Sequence, residues 1–227
     1  PKWLVDMLLE QYGYDTTRSM LEASLQERQT SIRCNLKKLS PSKLKELLEQ
    51  EGVTVENSPY LDYAFRIKNF DYLERLASFR EGCFVVQDIS SMLVCHLAGI
   101  REGDLVLDVC AAPGGKAMHA AQTAGRVIAR DISEYKIALI DENIKRLGYS
   151  NVQTQVWDAT KADPGMTGMA DLVIADLPCS GLGVIGKKPD IKYRLDKKQL
   201  EELVALQRKI LDVIQAYVKP GGILLFS

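Results

Sequence analysis

Asp108-Val-Cys-Ala-Ala-Pro-Gly-Gly-Lys116 is the stretch on which the reading of this 227-residue sequence turns. Leu105 to Val109 forms a short apolar run ahead of it, the signature of a buried strand, and Ala111 to Thr123 reads as a loop opening into a helix. A strand that runs into a glycine-rich turn and then a helix is where open α/β sheets hold ligands. Gly114 and Gly115 permit a tight turn and close backbone approach, and a helix start offers unpaired N–H groups. Glycines alone do not choose the ligand; spacing does. A phosphate-cradling P-loop requires Gly-x-x-x-x-Gly-Lys-Ser/Thr, but here Cys110 holds the first glycine position and Ala117 follows Lys116. The Gly-x-Gly-x-x-Gly of dinucleotide sites is missing too. An adenosyl site without a pyrophosphate remains.

Downstream, strand and helix patterns alternate. Val127 to Ala129 is the next strand, followed by a helix carrying Ile137, Ile140, Ile144 and Leu147 and ending at Gly148. Val152 to Val156 and Leu172 to Ala175 are further strands. A long helix is expected over 199–217, then a turn at Pro220-Gly221-Gly222 and a last strand, Ile223 to Phe226. This rhythm implies a parallel, doubly wound, Rossmann-like sheet. Asp131 ends the second strand, 17 residues beyond Gly114, near where an acidic residue meets ribose hydroxyls. Asp158 lies just after the third strand, within reach of an adenine edge. Acidic residues at successive strand ends suit a ligand with a ribose, an amine and a sulfonium, which is S-adenosyl-L-methionine. Singly, each is an ordinary strand-end or helix-cap carboxylate.

After the fourth strand comes Asp176-Leu-Pro-Cys-Ser-Gly-Leu-Gly183. Proline fixes the backbone and the glycines keep the loop open, so Asp176 and Cys179 are expected to project over the cofactor. A cytosine is a weak nucleophile at C5; a thiolate added at C6, with an acid at N3, activates it. A free thiol with a pKa of roughly 8.5 needs a cationic neighbour to ionise near neutrality, and Lys116 is the candidate. Asp176 suits cytosine N3 and its exocyclic amine. The bland alternative for Cys179 is a small buried thiol.

These two motifs resemble those of the RNA 5-methylcytosine methyltransferases. More narrowly, the chain is similar to the Sun/Fmu (RsmB-type) group of bacterial 16S rRNA cytosine-5 methyltransferases. Gly181-Leu-Gly-Val-Ile-Gly-Lys-Lys-Pro-Asp-Ile-Lys-Tyr193, Arg146-Leu-Gly148 and Gln87-Asp-Ile-Ser-Ser91 match that group, and Arg33-Cys-Asn35 and Pro1-Lys-Trp3 match its N-terminal extension. The resemblance implies a class I methyltransferase domain in which Cys110, Ala111, Ala112, Pro113, Gly114, Gly115, Lys116, Asp131, Asp158 and Asp176 contact the cofactor. Cys179, Asp176 and Lys116 are the expected catalytic residues. It also implies that Cys179 assists product release while a second cysteine, in a Thr-Cys pair expected beyond Ser227, attacks the base. Members often carry a NusB-like helical domain upstream. The chain is therefore expected to be a fragment, with little turnover as it stands.

Working back from the motif, a helix over 88–98 should link two halves, showing Ile89, Leu93, His96 and Leu97 on one face. His96 and His119 are read as structural. Residues 1–80 are expected to form a small α+β domain. Trp3, Leu4, Met7, Leu8 and Tyr12 suggest an amphipathic opening helix, Ile32, Cys34 and Leu36 a half-buried strand, and Ser40-Pro41 a helix start. With a weak strand at 53–56, a strand through Tyr63, Phe65 and Ile67, a helix around 71–77 and a strand from Cys83 to Val86, the order is β-α-β-β-α-β. That is the ferredoxin-like or RRM-like pattern. The methyltransferase domain would occupy 81–227, truncated at its C-terminus.

Hydrophobic residues make up 46% and charged residues 26%, enough to bury a sizeable core. A net charge of −1 gives no global attraction to nucleic acid, so RNA contact must rest on local patches. Lys187, Lys188, Lys192, Arg194, Lys197 and Lys198 face only Asp190 and Asp196 nearby. Of these, Lys187, Lys188, Lys192 and Arg194, with Arg33 from the small domain, are the expected RNA contacts. Such runs are otherwise solvated helix starts. The five cysteines, at 34, 83, 95, 110 and 179, show no zinc or disulfide spacing and read as reduced thiols. No metal, no membrane segment and a cytoplasmic monomer acting on RNA, 16S rRNA foremost, are expected. Two alternatives stay open: a DNA cytosine-5 methyltransferase, disfavoured by the appended small domain, and a non-catalytic RNA- or ribosome-binding module that keeps the cofactor fold.

Overall fold

The computed structural model describes residues 1–26 and 29–227. The chain divides into two compact units, one formed by the opening helix with residues 178–209, the other by residues 29–177 and 210–227.

In the first unit the opening helix α1 (Lys2–Leu25) forms where expected, but it breaks at Gly13, where φ 73° and ψ 176° leave helical geometry. Leu4 is buried, whereas Tyr12 is 45% exposed.

The second unit begins with β1 (Thr30–Cys34), α2 (Pro41–Gln50), β2 (Thr54–Asn57), β3 (Ala64–Lys68), α3 (Ala77–Arg80) and β4 (Phe84–Val86). They build a four-stranded sheet in the order β2-β3-β1-β4, with antiparallel pairs throughout. This is the ferredoxin-like arrangement read from the sequence. Ser40 caps α2 by accepting from the Lys43 N–H, with Pro41 in the first turn. Ile32, Cys34, Leu44, Leu48, Phe65, Ile67 and Phe84 form its core. The helix expected around 71–77 is instead a 3-10 turn, Leu73–Arg75, followed by α3. The fourth strand falls after residue 80, so the small sheet reaches past the expected boundary.

Helix α4 (Ile89–Leu97) follows, with Asp88 at its N-cap position. Its buried residues are Met92 and Cys95, while Leu97 is 79% exposed. Of the face expected from Ile89, Leu93, His96 and Leu97, the first two pack partly buried against the small core and the last two are exposed, because in a mostly apolar helix periodicity does not choose the buried side.

The large sheet contains β5 (Leu105–Asp108), β6 (Arg126–Asp131), β7 (Val152–Val156), β8 (Ala170–Ala175) and β9 (Val218–Phe226), in the order β7-β6-β5-β8-β9 and all parallel. The connecting helices are α5 (Gly115–Ala120), α6 (Glu134–Leu147), α7 (Ile191–Arg194) and α8 (Lys197–Ile214). The strand order reverses between β5 and β8, the switch point where such sheets open a ligand crevice. Pro220-Gly221-Gly222, expected as a turn, lies inside β9, where the pairing with β8 shifts register between Ala170 and Leu172. No helix among the described residues is long and apolar enough to cross a membrane.

Candidate active site

Because successive parallel strands end on one edge of the sheet, the residues following β5, β6 and β8 meet there. The loop after β5 turns sharply. Gly114 adopts φ 103°, a region closed to most side chains, and its N–H donates to the Ala111 carbonyl at 2.6 Å. The Ala111 N–H reaches the Arg130 carbonyl at 2.8 Å. Cys110 is half-buried, and burial pushes its thiol up to about 12, so it stays neutral.

Asp131, the last residue of β6, is buried and joins this loop directly. Its Oδ2 accepts the Ala112 N–H at 3.0 Å, and Oδ1 accepts the Ile132 N–H at 2.8 Å. The Lys136 ammonium stands 3.0 Å from Oδ1. Ala112 and Asp131 are thus brought together as expected; Lys136 was not anticipated. It is one turn into α6, on the face turned back toward the strand end.

The Lys116 ammonium lies 2.6 Å from Asp176 Oδ2, linking the start of α5 to the end of β8 across the switch point. Lys116 is buried, while the Asp176 side chain is 45% exposed and carries its free edge toward solvent. Lys116, expected as the cation beside a thiol, gives its hydrogen bond to a carboxylate. Beneath the pair, Asp108 is fully buried, and neither carboxyl oxygen has a hydrogen-bond partner among the described residues. Burial pushes its pKa up to about 7; the negative charge of Asp176 adds to the rise, and Lys116 opposes it. Asp108 heads the motif that fixed the fold but is not among the residues expected at the site.

Asp158 closes the turn after β7, accepting from the backbone N–H of Thr160 at 3.0 Å and its hydroxyl at 2.7 Å. The Trp157 N–H bonds the Asp131 carbonyl at 2.9 Å, so the two acidic strand ends are neighbours. Arg130 braces this corner: it donates to Gln155 at 2.8 Å, pairs with Asp163 and stacks 4.8 Å from the centre of the Trp157 ring.

Arg33 is corrected. It was expected to face RNA, but it is 0% exposed, so its guanidinium cannot join a solvent-facing patch. The alternation that turns Ile32 and Cys34 into the small core turns Arg33 to the opposite face, which is covered. His96 hydrogen-bonds the Tyr63 hydroxyl at 3.1 Å, and His119, held neutral by burial with a pKa down to about 2, packs edge-on against the same ring.

In the other unit, Cys179 is exposed. The Gln207 amide donates to the Pro178 carbonyl at 2.8 Å, tying the start of the loop to α8. Lys187, Lys188 and Arg194 are exposed and Lys192 is half-buried, its ammonium 5.3 Å from the Tyr193 ring centre. Arg194 pairs with Asp190 at 3.0 Å. Among the described residues, no cluster of His, Cys, Asp and Glu could hold a metal ion.

Residues 95–227 match the family model described as 16S rRNA methyltransferase RsmB/F, and residues 1–73 match that of an RsmF/B-like, ferredoxin-like domain. Over its whole length the chain is 33% identical to the probable ribosomal RNA small subunit methyltransferase B of Bacillus subtilis, of which it covers 52%. The crystal structure of PH0851 aligns with 100% of the chain and 52% of its own at 32% identity, with a TM-score of 0.94. That of NSun6 from Pyrococcus horikoshii with SFG aligns with 99% of the chain and 82% of its own at 24% identity, with a TM-score of 0.87. The chain spans about half the length of the curated relatives it matches.

Proposed function

The chain belongs to the 16S rRNA methyltransferase RsmB/F family, and from that premise we propose that it binds S-adenosyl-L-methionine along the carboxyl ends of β5, β6, β7 and β8. Within the whole protein, we propose, it directs the methyl group to C5 of a cytosine in 16S rRNA.

The residues at the strand ends fit this cofactor. Asp131 is held by two backbone N–H groups in a fixed orientation, and the half-exposed Lys136 side chain beside it would be displaced by ribose hydroxyls. Asp108 keeps two buried carboxyl oxygens without hydrogen bonds among the described residues, which suits a cationic amine. The backbone from Cys110 to Lys116 lines the turn, and Asp158 takes the adenine side. The cofactor, when bound, supplies a methyl group on a sulfonium.

Lys116 fixes Asp176, which is then free to meet cytosine N3 and the exocyclic amine with its exposed edge. With a thiolate of the whole protein added at C6, Asp176 would share the proton taken up at N3 and take it back as the C5 proton leaves and the thiolate is expelled; the cofactor would supply the methyl to C5 and leave as a neutral thioether. In this reading Cys179 assists that release. Lys187, Lys188, Lys192 and Arg194 hold the phosphates flanking the base, which must be flipped out if it is stacked.

The observation that carries the proposal is the Ala112–Asp131 hydrogen bond, which joins the glycine-rich turn to the acidic end of the neighbouring strand. Transfer of tritiated methyl to deproteinised 16S rRNA by the whole protein tests it. 5-Methylcytosine is the expected product after digestion to nucleosides; label at any position other than C5 overturns it.

A further inference from the structure

We infer that Arg33 is a positioning residue for the cofactor loop, through which the small sheet supports Gly115 and the Lys116–Asp176 pair from beneath; the link to cofactor binding rests on the function proposed above. Arg33 sits in the middle of the small sheet, opposite Ala64 of β3 and Val85 of β4. Its Nε donates to Gln87 Oε1 at 2.8 Å, and its Nη2 reaches the Gly115 carbonyl at 3.4 Å. Gln87 itself packs against that loop, because a Cβ built on Gly115 would lie 3.8 Å from the Gln87 side-chain carbon Cδ. The Gln87 amide is anchored in turn on Ser91 at 3.3 Å.

What makes this more than packing is the cost. Arg33 is fully buried, no carboxylate among the described residues pairs with it, and its Nη1 has no hydrogen-bond partner among them. Burial pulls its pKa below the usual arginine value, partly offset by the Tyr149 and Tyr63 phenols and the Cys95 thiol. An apolar side chain of similar length would fill this space without the penalty of taking a charge out of water. A cation retained there answers to the carbonyls it holds. Gly115 lies between the left-handed Gly114 and Lys116, so displacing its carbonyl displaces the backbone that carries the ammonium to Asp176. The end of β1 is itself fixed. Asn35 Nδ2 donates to the Gly82 carbonyl at 2.9 Å and the Leu147 carbonyl at 3.0 Å, and Gln122 Nε2 donates to the Cys34 carbonyl at 3.1 Å.

The test compares Arg33→Met and Arg33→Lys with Gln122→Ala, which loosens the same strand without touching the loop. Amide hydrogen exchange over residues 111–118, in the chain without ligand, is the first readout; calorimetric titration with S-adenosyl-L-methionine is the second. Arg33→Met should speed loop exchange at least tenfold and weaken cofactor binding at least tenfold, with Arg33→Lys recovering part of both. Gln122→Ala should lower the melting midpoint and leave loop exchange unchanged. Loop exchange in Arg33→Met equal to wild type, or matched by Gln122→Ala, overturns the inference. If Arg33→Met does not fold, Arg33→Lys is judged by the same two readouts. A wild-type chain that binds no cofactor counts against the proposed function, and exchange alone then decides the role of Arg33.

Discussion

The Lys116 ammonium, 2.6 Å from Asp176 Oδ2, bridges the two strands between which the order of the parallel sheet reverses. One end of the pair is buried and the other reaches solvent, so it fixes the orientation of a carboxylate that still has an edge to offer. Lys116→Met should leave Asp176 unanchored and weaken cofactor binding about 10-fold to 100-fold, equivalent to ~1.4–2.8 kcal/mol. Calorimetry reads this directly, and unchanged affinity would remove the pair from the site.

Asp108 predicts a pH dependence. Its folded-state pKa of about 7 lies above the unfolded value near 4, so the folded protein keeps a proton that the unfolded chain gives up. The stability it contributes is complete below about pH 4 and is lost as pH rises through about 7. Asp108→Asn, neutral throughout, should match wild type at pH 4 and exceed it at pH 8 by up to about 4 kcal/mol, three pKa units at ~1.4 kcal/mol each. Melting curves across that range check it; a variant less stable than wild type at pH 8 contradicts it.

Asp131→Ala should abolish most cofactor affinity at a cost in stability. It leaves the part-buried Ala112 and Ile132 N–H groups without their acceptor, at about 0.5–1.5 kcal/mol for each hydrogen bond lost. The expected outcome is a lower melting midpoint with far-UV circular dichroism retained, and a titration at least tenfold weaker. Wild-type binding would exclude Asp131 from the ribose site.

Gly82→Ala should be among the most damaging small substitutions. Gly82 has φ 70°, and a Cβ there would stand 2.1 Å from the Arg146 carbonyl oxygen, which is backbone and cannot yield cheaply. A loss of about 3–4 kcal/mol or more is expected, the range reserved for strain and overpacking. Denaturant unfolding measures it, and a loss under about 1 kcal/mol would overturn the expectation.

Much of the architecture was legible because it follows from local patterns. Period-two and period-3.6 spacing found every strand and most helices, Ser40-Pro41 and Gly148 marked helix ends, and the failed glycine spacings narrowed the ligand. The misses share one cause. The burial of Met92 and Cys95 on α4 and the strand running through Pro220-Gly222 were each chosen by neighbours far along the chain.

The sequence by itself determined the strand–turn–helix of the cofactor loop, the acidic strand ends and the family, since these are written in consecutive residues. Only the tertiary structure decided that Arg33 is buried beneath Gly115 rather than facing solvent, that Lys136 guards Asp131, and that Asp108 is a carboxyl group poised near neutrality. Those outcomes depend on which groups, tens of residues apart, exclude water from one another, and exclusion of water is not a property of any single stretch of chain.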